Sequence, residues 1–317
     1  MLQNRAAGVL FVEAGNPTAK LGWFSATNGA DGAAVLRAAA AAARAQGATT
    51  LLAPMNVNTW RRYRCVVRTG PAPSEPAPFL LEPFTPAAVQ ESFEAVHFSR
   101  STTYATLRIP HVEARLAVRA RLRADEAGVV FTPLEDRSDS AFVDLLHALA
   151  DQSFRKKEGF VRTPRAQVEF LYGTSRGLLV PGLSWLASGS SGAPLGFVVA
   201  YPDLAAEGCA QTVVKTLAVA PHAPAFLGWA LMHRHVVEAR AQGFTHGLYA
   251  LMEKASPLLR YAQDARRMGA EQATVHRTYA LYSAAVDSHD LRDSCVSRDS
   301  RDAENVSGAE PSSREKP

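Results

Sequence analysis

The chain has 317 residues, enough for two domains or one large one, with 47% hydrophobic and 20% charged residues and a formal net charge of +4. This balance is typical of globular proteins and excludes a globally disordered chain or a collagen-like repeat. No apolar run reaches the roughly 18 to 20 residues that span a bilayer, and the N-terminus lacks a signal-peptide pattern. Three widely spaced cysteines argue against a disulfide framework. We therefore expect a cytoplasmic protein with no membrane partner.

The distribution of charge gives no indication of a nucleic-acid partner. Residues 286–317 hold five basic and eight acidic side chains, so the preceding chain is more basic than the total suggests. A mildly basic body could favour an anionic ligand such as a nucleotide or coenzyme A, although an ordinary solvated surface explains the same charge. No stripe of Lys and Arg with interleaved aromatics occurs, so we expect no nucleic acid as partner.

Short apolar runs alternate with helical patterns over the first 110 residues. Strands are predicted at 8–12, 21–25, 49–52 and 104–109, and helices at 33–46 and 86–95. Asp31 is the predicted N-cap of the first helix, and Gly47 ends it. Its six consecutive alanines combine high helix propensity with little bulk, which suits close packing on a sheet.

From residue 111 onwards the elements follow in a different order. The predicted elements are a helix at 111–127, a strand at 129–131, helices at 140–152 and from 164, a hairpin at 182–201, a strand at 212–219, a helix at 226–242, a strand at 247–251, a helix at 256–268 and a strand at 273–282. Beyond them the chain is rich in Ser, Arg and Asp and offers little to bury. We therefore expect a disordered tail at 286–317.

The order of elements from about 128 to 283 resembles that of the GNAT superfamily of acyl-CoA-dependent N-acyltransferases. The most specific stretch is Thr-Leu-Ala-Val-Ala-Pro at 216–221, which is followed by Gly-Trp-Ala at 228–230 at the start of a long helix. GNAT proteins show a strand ending in Val-x-Pro, a loop of the form Gln/Arg-x-x-Gly-x-Gly/Ala, and a later helix ending near Gly-Phe or Gly-Ala. The resemblance implies an α/β fold with a mixed sheet and, as co-substrate, acetyl-CoA or another acyl-CoA.

The resemblance also implies where the acyl-CoA would bind. The predicted residues are Leu217, Ala218, Val219, Gly228, Trp229 and Ala230. The strand residues would pair with the pantetheine where two parallel strands separate, and three N–H groups at the helix start would face the pyrophosphate. The motif departs from the family pattern at Ala225, which replaces Gln or Arg, and at Pro224, which has no N–H to donate.

Two residues are candidates for proton transfer. Glu253 is the candidate general base because it follows the strand at 247–251, at the carboxyl end where ligands of a sheet collect. Alternatively, Glu253 pairs with Lys254 or caps a helix at Ser256. Many GNAT enzymes carry a tyrosine four residues before the helix-ending glycine, where it protonates the leaving thiolate. That position is alanine here, and Tyr261, about one turn earlier, is either its substitute or an ordinary packing tyrosine.

A polar and aromatic group follows the strand at 49–52. Its members are Asn56, Thr59, Trp60, Tyr63 and Arg64. They could form the wall of a pocket for an acid-bearing or amide-bearing small-molecule substrate, with Arg64 as the bidentate partner. Equally, they could order an interface between two halves of the protein. Glu82, which lies between apolar neighbours, has the same two interpretations.

The first hundred residues resemble a partial second copy of the same unit. The two long helices close on Ala-Arg-Ala-Gln-Gly at 43–47 and at 239–243, and an apolar strand follows each. We therefore expect two tandem GNAT-like halves, at 1–110 and 111–285, each a mixed sheet flanked by helices. The first half lacks the opening strand and helices and places Asp31 where phosphate would lie, so we expect no CoA in it.

These features favour an N-acyltransferase that moves an acyl group from CoA to a primary amine of a small molecule. A non-catalytic GNAT-like protein that binds a ligand or a partner is the second hypothesis, favoured by the degraded phosphate loop. An aminoacyl- or peptidyl-transferase is the third, and the lack of a long coiled-coil arm disfavours it. His233 and His235 are two apart on a helix, so we expect surface histidines and no metal site.

Overall fold

A computed structural model describes residues 5–69, 75–113, 115–206, 208, 210–256, 259 and 273–291. The described residues form one mixed sheet of eleven strands with helices packed against it. The strand content and the helices confirm the predicted α/β fold with a mixed sheet. The predicted helix at 256–268 lies almost wholly outside the described residues.

The strands and helices correspond closely to the predicted elements. The strands are β1 (Ala6–Phe11), β2 (Thr18–Ala26), β3 (Thr50–Ala53), β4 (Cys65–Val67), β5 (Ser99–Pro110), β6 (Val130–Pro133), β7 (Trp185–Ser188), β8 (Pro194–Pro202), β9 (Gln211–Val219), β10 (His246–Glu253) and β11 (Thr274–Ala285). The helices are α1 (Gly29–Ala45), α2 (Ala87–Ala95), α3 (Arg115–Glu126), α4 (Asp139–Phe154), α5 (Arg165–Tyr172) and α6 (Leu227–Ala241). Only β4, three residues long, has no counterpart among the predicted elements.

The start of α1 differs from the prediction. The N-cap is Asn28, whose side-chain oxygen accepts a hydrogen bond from the backbone N–H of Asp31 at 2.8 Å. Asp31 therefore lies inside the first turn, where a carboxylate is favoured by the helix dipole, and α1 begins at Gly29. The alanine run then packs on the sheet through Ala40 and Ala43, as its small side chains predict.

The sheet order is β1-β2-β3-β11-β5-β10-β9-β8-β7-β6, and β4 pairs with β11. Only β2–β3 and β9–β10 are parallel among the described pairs. The last strand of the predicted first half, β5, pairs with β10, whereas the last strand of the chain, β11, pairs with β3. The chain's two predicted halves thus exchange their final strands, and the division at residue 110 stays a prediction about chain organisation.

The core around α1 and α2 includes the beginning of the predicted tail. Val286 and Leu291 are each 3% exposed and belong to the same cluster as Phe93, whose ring stacks on Tyr282 of β11 at 4.5 Å. The prediction of disorder from residue 286 is therefore wrong for residues 286–291, because these two side chains bury apolar surface. The rest of the predicted tail lies outside the described residues.

The buried face of α6 corrects a second prediction. His235 is fully buried rather than on the surface, and His233 is only partly exposed. The His235 ring bonds the Leu183 carbonyl oxygen at 2.9 Å and the Thr212 hydroxyl at 3.2 Å. Burial lowers the pKa of His235 to about 4, so this ring is neutral at physiological pH.

Candidate active site

The parallel strands β9 and β10 pair only over their first halves. Their register runs from Gln211 opposite His246 to Val214 opposite Tyr249, and both strands then continue without pairing to each other. Against β8, strand β9 has a bulge at Lys215, since Val214 and Thr216 occupy consecutive positions in the register. The two strands therefore separate from this level towards their carboxyl ends.

Strand β10 bends at the same level. Its register with β5 shifts between Tyr249 and Met252, and Leu251 has a φ of 56°, in the left-handed region that non-glycine residues rarely adopt. The Leu251 N–H donates to Thr106 of β5 at 3.1 Å. The bend thus turns β10 towards β5 and away from β9, which leaves a gap between the two parallel strands.

Backbone groups of β9 face this gap. The Ala220 N–H donates to the carbonyl oxygen of Leu195 in β8 at 2.8 Å. Because hydrogen bonding alternates along an antiparallel ladder, Leu217 and Val219 direct their N–H and C=O groups away from β8. Ser153 of α4 donates to the Val219 carbonyl oxygen at 3.0 Å, which is consistent with this direction. An extended amide chain in the gap could pair with these groups as an added strand.

The predicted acyl-CoA residues fall into two groups. Leu217, Val219 and Gly228 lie together, since a Cβ at Gly228 would contact both strand side chains at 3.7 Å. Ala218 and Ala230 are at most 1% exposed and pack into the core, so their side chains do not line the gap. Trp229 is partly exposed and packs against the cluster under α6.

The start of α6 offers fewer free donors than predicted. The N–H groups of Trp229 and Ala230 both donate to the Phe226 carbonyl oxygen, at 3.0 and 3.1 Å, and Leu227 donates to Pro224. The prediction that three N–H groups are free for phosphate is therefore wrong for Trp229 and Ala230. Within the described residues, Gly228 is the member of the predicted trio whose N–H the first turn does not use. No side chain caps this helix.

Glu253 ends β10 opposite Tyr104 of β5. Its side chain is 28% exposed and forms an ion pair with Lys157, from the connection between α4 and α5. This partner is Lys157 rather than the predicted Lys254, and the Glu253 carbonyl oxygen accepts from the Ser256 N–H at 2.8 Å. The helix that Glu253 would cap lies almost wholly outside the described residues, so the capping alternative stays a prediction. Tyr261 lies outside the described residues, and its predicted role as acid stays a prediction.

The segment at 54–64 connects three parts of the molecule. The Asn56 side-chain oxygen accepts from the Trp23 N–H of β2 at 2.6 Å, so Asn56 supports the first half of the sheet. Trp60 contacts Tyr172 of α5, with ring centroids 5.9 Å apart, and its carbonyl oxygen accepts from the Tyr172 hydroxyl. The Trp60–Tyr172 contact joins the two predicted halves and matches the interface interpretation, whereas the Asn56–Trp23 contact lies within the first half.

Tyr63 and Arg64 lie instead beside the candidate base. The Arg64 guanidinium lies over the Tyr63 ring at 3.7 Å and over the Tyr104 ring at 4.1 Å. It also donates to the Tyr63 hydroxyl. Because Tyr104 is the cross-strand neighbour of Glu253, the structure brings this predicted arginine close to the predicted base.

Lys215 is a site residue that the sequence analysis missed. It is the bulged residue of β9, and its ammonium group lies 3.4 Å from the Leu81 carbonyl oxygen. Burial, and then the neighbouring cations Arg64 and Arg62, lower the pKa of Lys215 to about 8, while Glu82 raises it. Lys215 is the charged residue of β9, but this pattern alone does not identify a site without the bulge and the neighbouring residues.

Glu82 is held by hydrogen bonds inside the protein rather than facing a pocket. Its side chain is buried and accepts hydrogen bonds from Tyr279, from Arg277 at 3.2 Å and from the Phe79 N–H at 3.1 Å. Burial raises the pKa of Glu82, and the Tyr279 hydrogen bond and Arg277 oppose that shift. Thr106 donates to the Tyr279 hydroxyl at 3.3 Å and also accepts from Leu251. Glu82 therefore anchors the strands that hold the bend of β10.

No helix within the described ranges is long and apolar enough to cross a membrane. The same residues contain no cluster of three or more His, Cys, Asp or Glu side chains placed to hold a metal ion.

No protein-family model matches this sequence, and no curated protein sequence matches it. Among solved structures, a GCN5-related glucosamine N-acetyltransferase region of a fungal multi-domain β-N-acetylglucosaminidase has a TM-score of 0.51 and 12% identity, with 88% of this chain matching 31% of that one. A tandem GNAT protein from the clavulanic acid biosynthesis pathway, determined without acetyl-CoA, has a TM-score of 0.47 and 16% identity over 89% of this chain and 79% of that one. A GCN5-related N-acetyltransferase from Sphaerobacter thermophilus has a TM-score of 0.49 and 11% identity, over 89% and 77%.

The likeness at a TM-score of 0.51 covers 88% of this chain. The protein therefore has the fold of the GCN5-related N-acetyltransferases, and the expected GNAT resemblance is confirmed at the level of the fold. The likeness shows neither the acyl donor nor the acceptor of this chain.

Proposed function

We propose that the protein is an N-acyltransferase that moves an acyl group, such as acetyl, from CoA to a primary amine of a small molecule. The observation that carries this proposal is the gap between β9 and β10. The N–H and C=O groups of Leu217 and Val219 point away from β8 and into this gap. A thioester whose pantetheine amides pair with these groups would place its carbonyl beside Lys215 and Glu253.

In the proposed reaction, the acceptor nitrogen attacks the thioester carbonyl carbon, so that a C–N bond forms and the C–S bond breaks. The acceptor ammonium first gives one proton to Glu253, directly or through water, so that the free amine can attack. The thiolate that leaves takes up the second proton that the nitrogen loses as the amide forms. The Lys157 side chain paired with Glu253 is 41% exposed. An acceptor ammonium can therefore replace Lys157 as the partner of the carboxylate without a large cost.

The fit to the pyrophosphate is weaker than the fit to the pantetheine. Of the predicted donors at the start of α6, Gly228 retains its N–H, whereas Trp229 and Ala230 use theirs within the first turn. This observation favours the second candidate function, a GNAT-like protein that binds a ligand or a partner without catalysis. Calorimetry with acetyl-CoA and with CoA, followed by an assay of thiol release in the presence of amines, distinguishes the two.

The matched variants for this test are Gly228→Glu and Ala30→Glu. Each adds a carboxylate at the second residue of a helix, α6 or α1. A carboxylate there is favourable for the helix itself, so both variants should fold. We expect Gly228→Glu to weaken acetyl-CoA binding at least about 10-fold, equivalent to about 1.4 kcal/mol, and Ala30→Glu to leave it unchanged. If wild type does not bind CoA, or if both variants bind it equally, the acyltransferase proposal fails.

A further inference from the structure

Three cations lie near one another: Arg62, Arg64 and Lys215. Arg64 lies on the Glu253 face of the sheet, over the Tyr104 ring, and the positive charges of Arg64 and Arg62 act on Lys215. Within the described residues, no carboxylate oxygen lies within 4.0 Å of their charged nitrogens. Arg277, in contrast, has such a partner in Glu82 at 3.2 Å. Grouped cations that form no ion pair among the described residues carry an electrostatic cost that an anion would relieve.

The Arg64 side chain is held in place while part of its donor capacity is unused. Its guanidinium is fixed between the rings of Tyr63 and Tyr104, with the centroids at 3.7 and 4.1 Å. Its Nε–H is buried and has no hydrogen-bond partner in the described part of the chain. A buried unpaired donor on a charged group costs free energy, so this side chain is pre-oriented for an acceptor that the described residues do not supply.

Lys215 adds a second cation at the mouth of the gap. The bulge at Lys215 marks the level where β9 and β10 separate, and the only hydrogen bond of its ammonium in the described structure is a long one, 3.4 Å, to Leu81. Arg64 and Arg62 are close enough to depress the pKa of Lys215, which supports their grouping. An anion bound among them would face the end of the gap where the thioester is proposed to lie.

The distance between this cationic group and Glu253 suits a small bifunctional molecule. Glu253 is opposite Tyr104 in the β5–β10 register, and Arg64 stacks on that same Tyr104 ring. Glu253 and Arg64 are thus separated by about one aromatic side chain. An acceptor whose ammonium meets Glu253 can place an anionic group on Arg64 and Lys215 when only a few bonds separate its two charges.

We infer that the acceptor is an anionic amine, with a carboxylate or a phosphoryl-type group bound by Arg64 and Lys215 and with Arg62 at the rim. This inference rests on the proposed acyl transfer for the role of the amine. The anion site itself does not depend on catalysis, and its residues can be tested by binding alone.

The experiment uses the full chain and two readouts. The first measures kcat/KM with acetyl-CoA for matched acceptors: glycine and phenylalanine, their amides, and their aminophosphonate analogues. The second titrates the N-acetylated acids and amides without CoA and follows tryptophan fluorescence, to which Trp60, four residues before Arg64, contributes as one of four tryptophans. Variants Arg64→Gln and Lys215→Met are compared with Arg44→Gln, a control on the exposed face of α1.

We expect the acids to exceed the amides at least about 10-fold in kcat/KM or in affinity, as a charge-assisted hydrogen bond implies. Arg64→Gln and Lys215→Met should remove that preference mainly by raising KM, and Arg44→Gln should keep it. A higher kcat/KM for the aminophosphonates than for the amino acids would show that the anionic group is of the phosphoryl type rather than a carboxylate.

Turnover without preference for acids would overturn the inference and leave the acyltransferase proposal intact. Acid-selective binding that depends on Arg64, without CoA-dependent turnover, would support the anion site and refute acyl transfer. If acids and amides bind alike and no turnover occurs, the anion site is refuted as well.

Discussion

The two parallel strand pairs of the sheet begin alike and end differently. Strands β2 and β3 pair up to Lys20 opposite Leu52, and contact continues beyond this point, because the Met55 N–H donates to the Leu21 carbonyl oxygen at 2.8 Å. Strands β9 and β10 separate after Val214. One strand–helix–strand arrangement is thus closed in the first half and open in the second.

The chain that follows each second strand accounts for this difference. After β3, the backbone at Met55 and Asn56 runs against β2 so closely that a Cβ at Gly22 would lie 2.5 Å from the Met55 carbonyl oxygen. Strand β10 instead bends at Leu251 and follows β5. Whether the two parallel strands stay together or separate is therefore decided by the few residues at or after the end of the second strand, not by the paired parts of the strands.

The helices that follow β2 and β9 also differ, at their N-termini. Asn28 caps α1 with its own side chain, whereas no side chain caps α6. At the start of α1 the Asn28 side chain accepts from the Asp31 N–H and the Asp31 carboxylate lies in the first turn, whereas the first turn of α6 has neither a side-chain cap nor an acidic side chain. This contrast supports the prediction that the first half binds no CoA, which the experiments above and below can test.

The largest expected effect is on the bend that opens the second half. Replacing Glu82 by alanine removes the buried partner of Arg277 and Tyr279, and breaking a buried ion pair costs about 3–5 kcal/mol. Urea unfolding followed by circular dichroism should show that loss. The control Glu169→Ala removes an exposed ion pair with Arg165 and should change stability by less than about 1 kcal/mol. Equal effects of the two variants would show that Glu82 does not anchor the bend.

The next effect concerns Val286 and Leu291, which pack against the core around α1 and α2. A protein ending at residue 285 loses the buried side chains of Val286 and Leu291, and each is worth about 1.5–3 kcal/mol. A protein ending at residue 291 keeps both. We expect the shorter protein to be less stable by about 3 kcal/mol or more, measured by thermal unfolding. Equal melting temperatures would contradict the packing of these two residues.

Local sequence patterns predict most of the helices and strands, but they do not predict which strands pair with each other. The predicted helix at 140–152 is α4, Asp139–Phe154, because its apolar side chains recur with helical spacing. The exchange of β5 and β11 between the halves depends on pairing between distant segments, which has no local signal. Strand β4 has only three residues, too few for periodicity to reveal.

The candidate site was predicted in part for similar reasons. Glu253 and Arg64 were found because each follows an apolar strand, and ligands collect at strand ends. Lys215 was missed because a charge inside a strand carries no meaning until the bulge and its neighbours are known. The engagement of the Trp229 and Ala230 N–H groups depends on the tight first turn of α6, which the Gly-x-Ala motif does not specify.

A smaller effect distinguishes the closed pair from the open one. In Gly22→Ala, the new Cβ would meet backbone atoms at 2.5 Å, and such overpacking costs about 1–3 kcal/mol. In Gly228→Ala, the nearest atoms are side chains at 3.7 Å, an ordinary contact, and we expect no loss of stability. Denaturant titrations of the two variants provide the comparison. A destabilised Gly228→Ala would mean that the open pair is packed as closely as the closed one.

Each of the two pairs carries a lysine where regular pairing ends. Burial lowers the pKa of Lys20 in β2, and Glu13 raises it, so an acid compensates this lysine. Burial also lowers the pKa of Lys215, to about 8, and the next causes are the cations Arg64 and Arg62, with Glu82 opposing them. Only Lys215 therefore lies in an environment that a bound anion would change strongly.

The smallest expected effect follows from this pair of lysines. Below pH 8 the Lys215 side chain is protonated and attracts an anion. Above pH 8 it loses its charge, unless a bound anion keeps the lysine protonated. Affinity for N-acetylglycine, followed by Trp fluorescence, should therefore fall as the pH rises from 7 to 9, by up to about 10-fold, the value of one charge-assisted bond. Lys215→Met should bind weakly and without this pH dependence, whereas Lys20→Met should retain the wild-type decline. A decline that persists in Lys215→Met would assign the titration to another group and remove Lys215 from the anion site.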